Sequence, residues 1–404
     1  MESKLNLLEE IKSLAKKFYP EVRHWRAHLH ANPELSFQEY ATSQFIQEIL
    51  KENNISFTSG IVGTGIVGEV EGRNPESKVV LLRADMDALP ITEKNNVSYK
   101  SKVAGIMHAC GHDVHTASLL GALKILTETK NNWAGTVKFI FQPGEEVLPG
   151  GASLMIKEGI LDNPTVDAAI AQHVFPSMET GKVGFKSGMY MASTDELYIT
   201  VKGMGGHAAM PTEYNNPILI AAEIVTQLNS IFMNTTETRN LNSVPTVLAF
   251  GKIEGLGATN VIPETVEICG TFRTMNEEWR NLSHTRIKHS INEICKKNKA
   301  EAEVRIERGY PFLINDEKVS EHAKKMAETY LGKENVEDLP LRMTAEDFAY
   351  ISQQVPSCFY RLGTGNKQKG ITSGVHSATF DIDERALEIG SGLMAWLAVS
   401  ELSR

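Results

Sequence analysis

Apolar residues recur at helical spacing from the start of the chain. Leu5, Leu8, Ile11 and Leu14 or Ala15 fall on one face with charges between them, which predicts an amphipathic helix over the first twenty residues. Pro33 interrupts the pattern, and Tyr40, Phe45, Ile46, Ile49 and Leu50 resume it as a second helix. A glycine-punctuated, strand-like segment follows around Ile61 to Val70, and then the β-prone run Val79 to Leu82. Val114 to Leu126 reads as an amphipathic helix rich in Leu and Ala, Val137 to Phe141 as a buried strand, and AAIAQ as a third apolar run that ends at His173. Strand, loop, helix, strand is the βαβ order that pairs strands in parallel through a right-handed crossover.

The pattern changes at about Ser187. ELYITVKG reads as a strand, Pro217 to about Phe232 as a helix, Val247 to Ile253 and Thr265 to Arg273 as two strands, Glu277 to about Lys297 as a helix, and Glu303 to Ile306 as a short strand. That β-α-β-β-α-β order predicts a ferredoxin-like α+β domain, with Gly188 and Gly309 as candidate hinges. The last third then resumes the first pattern. Glu346 and Asp347 enter a helical run, Phe359 to Gly363 is a strand, and Ala386 to Leu402 is a closing helix with one apolar face. The fold class expected is α/β, a mixed sheet flanked by helices with the α+β domain inserted. Its expected boundaries are 1–187 and 309–404 for the first domain and 188–308 for the insert.

Length and charge narrow the possibilities. A chain of 404 residues exceeds one core at roughly 100 to 200 residues per domain. A formal net charge of −9, with no basic cluster, argues against nucleic acid or an anionic membrane as partner. No stretch approaches the roughly 18 to 20 apolar residues that span a bilayer, and no signal-peptide core opens the chain, so a cytoplasmic protein is expected. Cys110, Cys269, Cys295 and Cys358 are too scattered for a disulfide framework, which fits a reducing compartment and leaves Cys110 free as a thiolate.

Candidate chemistry is densest in MHACGHDVHT, where Cys110, His112, Asp113 and His115 open a helix-like run. A soft thiolate and an imidazole two residues apart can face one cation if the backbone there is looped. The alternative is a small buried cysteine among polar surface histidines. Asp85 and Asp87 follow the Val79 strand at the end where open α/β sheets bind ligands, and Glu145 and Glu146 follow the Val137 strand after Gly144. In such a Glu-Glu pair one carboxylate can bind metal while its neighbour transfers protons, although in isolation the pair is usually a solvated turn. GMGGHAAMP places His207 on a glycine-rich loop that lacks both a phosphate-cradle lysine and a dinucleotide fingerprint, so it suits contact with a substrate oxygen better than with phosphate. His376 stands ahead of the closing helix.

Seven ordered motifs, RADMDALP, MHACGHDVHT, FQPGEE, AQHVF, GMGGHAAMP, TNVIPE with GTFR, and VHSATFD, together resemble the metal-dependent amidohydrolase and aminoacylase family. That family includes hippurate hydrolase, N-acetyldiaminopimelate deacetylase and the plant auxin-amino-acid hydrolases. The likeness runs from HANPE through HSATF and implies an aminopeptidase-like catalytic domain with an inserted lid and dimerisation domain. It implies two divalent ions per subunit (Mn2+, Zn2+, Co2+ or Ni2+) held by Cys110, His112, Glu146, His173 and His376. Cys110 would bridge the ions, Glu146 and His376 completing one and His112 and His173 the other. Asp87 would orient a ligand histidine, Glu145 would act as acid and base, His207 as donor to the oxyanion, and Asn260 and Arg273 as substrate contacts. A homodimer or higher homo-oligomer is also implied.

The expected reaction is hydrolysis of an N-acyl-L-amino acid to a carboxylate and a free amino acid. A dipeptidase or carboxypeptidase on the same metals is the near alternative. A protein stapled by metal, or one using Cys110 as a redox thiol, is the alternative from a different class.

Overall fold

The structure is a computed structural model that describes residues 2–233 and 244–404. The chain divides into two compact units. Unit 1 comprises 1–190, 314–340 and 347–404, and unit 2 comprises 191–313 and 341–346.

Unit 1 begins with one long helix, α1 (Glu2–Ala31), which carries Pro20 inside it and so extends through the point where the expected first helix stops. Helix α2 (Tyr40–Glu52) follows. An unexpected strand, β1 (Ser56–Ile61), precedes the glycine-punctuated segment, which holds strand β2 (Gly65–Glu71), and the two pair as an antiparallel hairpin. Strand β3 (Val79–Asp85), helix α3 (His112–Thr129) and strand β4 (Thr136–Gln142) make the βαβ unit, with β3 and β4 parallel. All seven residues of each strand are buried, as expected of parallel strands covered on both faces. Helix α4 (Gly151–Lys157), strand β5 (Ala168–Glu179), and strands β6 (Val183–Phe185) and β7 (Gly188–Met191) complete this part.

Unit 2 holds strand β8 (Asp195–Lys202), the short β9 (Gly206–His207), helix α5 (Pro217–Met233), strand β10 (Thr246–Glu254), the short β11 (Val261–Ile262), strand β12 (Thr265–Thr274), helix α6 (Glu277–Lys297) and strand β13 (Glu301–Arg308). The four long strands form an antiparallel sheet in the order β10-β12-β8-β13, the ferredoxin-like order. Its core joins Leu197, Ile199 and Val201 of β8 to Ile220, Ile224 and Leu228 of α5 and Ile287, Ile291 and Ile294 of α6.

The chain then returns through β14 (Leu313–Asn315), α7 (Glu317–Leu331), β15 (Val336–Asp338), the single turn α8 (Ala349–Ser352), β16 (Ser357–Gly365) and α9 (Ala386–Leu402). The sheet of unit 1 has the order β1-β2-β4-β3-β5-β16-β6-β15. It is parallel across β4-β3-β5-β16 and antiparallel at β1-β2, β2-β4 and β16-β6, so it is mixed. Two expectations fail here. Helices α3 and α9 are not amphipathic: both are buried on nearly every side, because α3 packs against α1 and α9. A helix apolar all round belongs in the interior of a layered domain. Among the described residues no helix is long and apolar enough to cross a membrane.

Candidate metal centre

Three parallel strands deliver the candidate groups to one edge of the sheet. Asp85 closes β3 and Asp87 lies two residues beyond it. Glu145 and Glu146 follow β4 through a turn in which Gly144 adopts φ +59°. A Cβ on Gly144 would stand 2.4 Å from the Phe37 ring, so a side chain there meets both strain and a wall. His173 lies inside β5, which runs on to Glu179 rather than ending before the histidine as expected. His112 is the first residue of α3, and the preceding Gly111 has φ +85°. That left-handed residue turns the backbone between Cys110 and the helix, so the thiol and the imidazole two residues on converge. His376 sits in a loop at φ +60°, its N–H donating to the Ala109 carbonyl at 2.7 Å.

These placements bring the five groups together in two overlapping sets. The ligand atoms of Cys110, His112 and His173 lie within 4.8 Å of one another, and so do those of Cys110, Glu146 and His376. The Cys110 sulfur is 3.5 Å from His173 Nε2, and His376 Nε2 is 3.2 Å from Glu146 Oε1. His173 Nδ1 is bonded to the Val174 carbonyl at 2.8 Å, which turns Nε2 toward the sulfur. His112 Nδ1 meets Asp87 Oδ1 at 3.1 Å, which leaves Nε2 facing the cluster. That Nε2 and Glu146 Oε1 are both buried and lack a hydrogen bond of good geometry among the described residues, the near neighbour of Glu146 Oε1 being the His376 imidazole. Orphaned polar atoms of this kind, grouped with a thiol and imidazoles, fit a divalent cation of borderline softness.

Electrostatics follow from that crowding. Burial raises the Cys110 thiol above its ordinary value, and the Glu146 carboxylate adds to the effect. For His112, burial works downward but is outweighed by Asp85, Cys110 and Asp87, so the imidazole is held well above its ordinary value. Cys110 and Glu146 push His376 up to about 10. His173 goes the other way, lowered by burial and by the Arg361 guanidinium. A divalent cation among these groups would take the place of protons, as metal binding to thiol and imidazole does generally.

Asp87 reaches further than one histidine. Its Oδ2 accepts from the Glu146 N–H at 3.0 Å and the Ser36 hydroxyl at 2.6 Å, so one carboxylate holds the segments of two candidate ligands. Glu145 is buried beside them, its Oε1 accepting from the Asp347 N–H at 3.4 Å. Of the MHACGHDVHT groups, Asp113 and His115 make other partnerships. Asp113 pairs with Arg26 Nε and His30 Nδ1, each at 2.7 Å, and His115 Nδ1 meets Asp85 at 2.6 Å. Arg26 and His30 stand four apart on α1 and share one face. A basic residue and a histidine repeated on a helix's buried side were the available signal, and sequence reading passed over it.

The remaining candidates lie in unit 2. His207 is exposed on β9, paired with Val261 of β11, and its Nδ1 accepts from the Ala209 N–H at 3.1 Å. The Asn260 carbonyl accepts from the Ala208 N–H at 3.1 Å, so the His207 and Asn260 loops are neighbours. Arg273, half-buried on β12, donates to the Met343 carbonyl at 3.2 Å.

Comparison with known proteins places the chain. The model of peptidase family M20/M25/M40 matches residues 81–399. N-acyl-L-amino acid amidohydrolase of Geobacillus stearothermophilus is 40% identical over 307 residues, 76% of this chain and 81% of that protein. Thermostable carboxypeptidase 2 of Saccharolobus solfataricus is 36% identical over 399 residues, 98% of this chain and 99% of that protein. The crystal structure of Bacillus subtilis YXEP protein, described as a dinuclear metal binding peptidase from the M20 family, superposes with a TM-score of 0.81 at 32% identity, covering 96% of this chain and 99% of that one. On this sequence match and this shared fold, the chain belongs to peptidase family M20/M25/M40.

Proposed function

We propose that this chain hydrolyses the amide bond of N-acyl-L-amino acids with two divalent ions held by Cys110, His112, Glu146, His173 and His376. The observation that carries the reading is the pair of three-residue sets that share Cys110, with a second carboxyl, Glu145, buried beside them. Two ions so held would make a water acidic enough to supply hydroxide near neutral pH and would polarise the acyl oxygen. Glu145, buried beside these groups, would serve to take a proton from the attacking water and return it to the departing amine, which an amide needs because its nitrogen leaves poorly unprotonated. Asp87 orients His112 and keeps Nε2 available. His207 is assigned as the donor to the developing oxyanion, and Asn260 and Arg273 as contacts to the substrate carboxylate, in keeping with an imidazole, an amide and a guanidinium on unit 2.

Glu145→Gln tests this directly. Turnover of an N-acetyl or N-benzoyl amino acid should fall by about 10²- to 10⁴-fold with metal content retained, and near wild-type turnover would refute the proton-transfer role. The relative named thermostable carboxypeptidase 2, alike over nearly its whole length, supports peptide cleavage as the second reading. Assay of the metal-loaded chain against N-acyl amino acids and unblocked peptides separates the two.

Assembly through unit 2 belongs to the same proposal. Leu219 is 67% exposed and Leu256 85%, with Met204, Met210, Ile218 and Val261 also exposed on that unit. Exposed apolar side chains in this number on one unit support burial against a second copy. Sedimentation should give twice the chain mass, and Leu219→Asp with Leu256→Asp should give the single mass.

A further inference from the structure

Arg83 lies inside β3 with no solvent exposure, among seven buried residues. A guanidinium cannot shed its charge, so burial obliges the fold to surround it with acceptors. Its Nε donates to Gln142 Oε1 at 2.9 Å, one terminal nitrogen to Asp85 Oδ2 at 2.5 Å, and the other to Asp347 Oδ1 at 2.7 Å.

Each carboxylate leads to the metal centre by its own route. Asp85 Oδ1 meets His115 Nδ1 at 2.6 Å, and His115 Nε2 accepts from the Val174 N–H at 2.9 Å. Val174 is the residue whose carbonyl holds His173 Nδ1. Asp347 is held on its other sides by the Gln142 side-chain amide and the Ala152 N–H, and its own backbone N–H meets Glu145 Oε1. One guanidinium therefore ties the His173 segment to the Glu145 carboxyl through groups that are all buried. Stability alone gives little reason for this arrangement, since buried ion networks can often be exchanged for apolar packing at no loss.

We propose that Arg83 and Asp347 are a positioning pair for Glu145. The guanidinium fixes Asp347, the Asp347 amide fixes the Glu145 carboxyl, and the Asp85 and His115 branch holds the His173 segment in register with it. The inference rests on the proposed role of Glu145. Its contact with Asp347 is long at 3.4 Å, so a small shift of Asp347 removes it. Displacement of a catalytic group by about an ångström can cost on the order of a hundredfold in rate.

Arg83→Met, Arg83→Lys and Asp347→Asn in the full-length, metal-loaded chain test the proposal, read by kcat, KM, metal per chain and thermal midpoint. Asp347→Asn should lower kcat about a hundredfold, with KM and metal content within about twofold of wild type, and Arg83→Met, which also releases the Asp85 and His115 branch behind His173, should lower kcat at least as far. Arg83→Lys should recover part of that loss, because the ammonium keeps the charge but cannot make the fork. Wild-type kcat in Asp347→Asn, or a loss of activity that tracks loss of metal, overturns the proposal. Should Arg83→Met fail to fold, Asp347→Asn still decides, since it keeps the side-chain shape and the backbone N–H. Glu145→Gln run alongside separates the two levels. An active Glu145→Gln sinks the reading beneath, whereas an inactive Glu145→Gln beside fully active Arg83 and Asp347 variants sinks only the positioning role.

Discussion

Asp87 touches the segments of two proposed ligands, because one oxygen aligns the His112 ring and the other receives the Glu146 N–H. Asp87→Ala should weaken divalent metal binding by about 10- to 100-fold, read by titration against a competing chelator, while Cys110 and His173 remain in place. An unchanged affinity would mean that the ring needs no such support. At this scale the candidate site was legible wherever chemistry followed a strand. Asp87, Glu145, Glu146 and His173 each come after an apolar run, and the repetition pointed to one sheet edge. His376 carried no such signal, since a loop residue at positive φ belongs to no periodic pattern, and only the resemblance of VHSATFD supplied it. The Arg26–Asp113 pair was illegible for another reason: its partners are 87 residues apart, and a charged residue on a helix reads as solvated unless the packing above it is known.

Helices α3 and α9 show why element type could be read while environment could not. Leu and Ala at helical spacing specify a helix, but whether a second helix covers its outer face depends on chain that lies far away in sequence. Here α1 and α9 both lie against α3, so Leu119, Leu120, Leu123 and Leu126 are all at or near zero exposure. Leu123→Ala should lower unfolding stability by about 2–5 kcal/mol in denaturant titration, a cavity cost that a half-exposed leucine would not incur. Of the hairpin of β1 and β2 only the second strand was legible, because β1 is largely exposed and polar, and the turn with Val62 and Gly63 at positive φ marks no polar break. In unit 2 the helices and strands followed the periodicity closely, since each strand has one face on α5 and α6 and one face open, which produces visible alternation.

The two units rest on separate apolar cores, and their acid sensitivity follows from different groups. In unit 2, Asp195 is buried against Arg280 at 2.5 Å and His284 at 2.6 Å. Burial alone would raise this carboxyl, but the hydrogen bonds from His284 and Arg280 prevail and hold it below the ordinary carboxylate range. A carboxyl depressed on folding contributes stability above its unfolded value and loses it as pH falls through the folded one. Wild type should therefore lose midpoint temperature on acidification below about pH 4, and Asp195→Asn should start lower and show a flatter acid limb in calorimetry. Chelation is expected to act differently. With both cores apolar, removing divalent ions should abolish turnover reversibly and leave far-ultraviolet circular dichroism nearly unchanged, whereas a fold held by metal would melt.

Helix α1 has a consequence for anyone trimming this chain. The family match starts at residue 81, which invites removal of everything before it. Yet the guanidinium that neutralises Asp113, one position from His112, comes from Arg26 on that first helix. A shortened polypeptide beginning at Leu81 would keep all five proposed ligands and still strand a carboxylate in the interior with its counter-charge deleted. It should be recovered as insoluble material, and adding zinc or manganese should not rescue it.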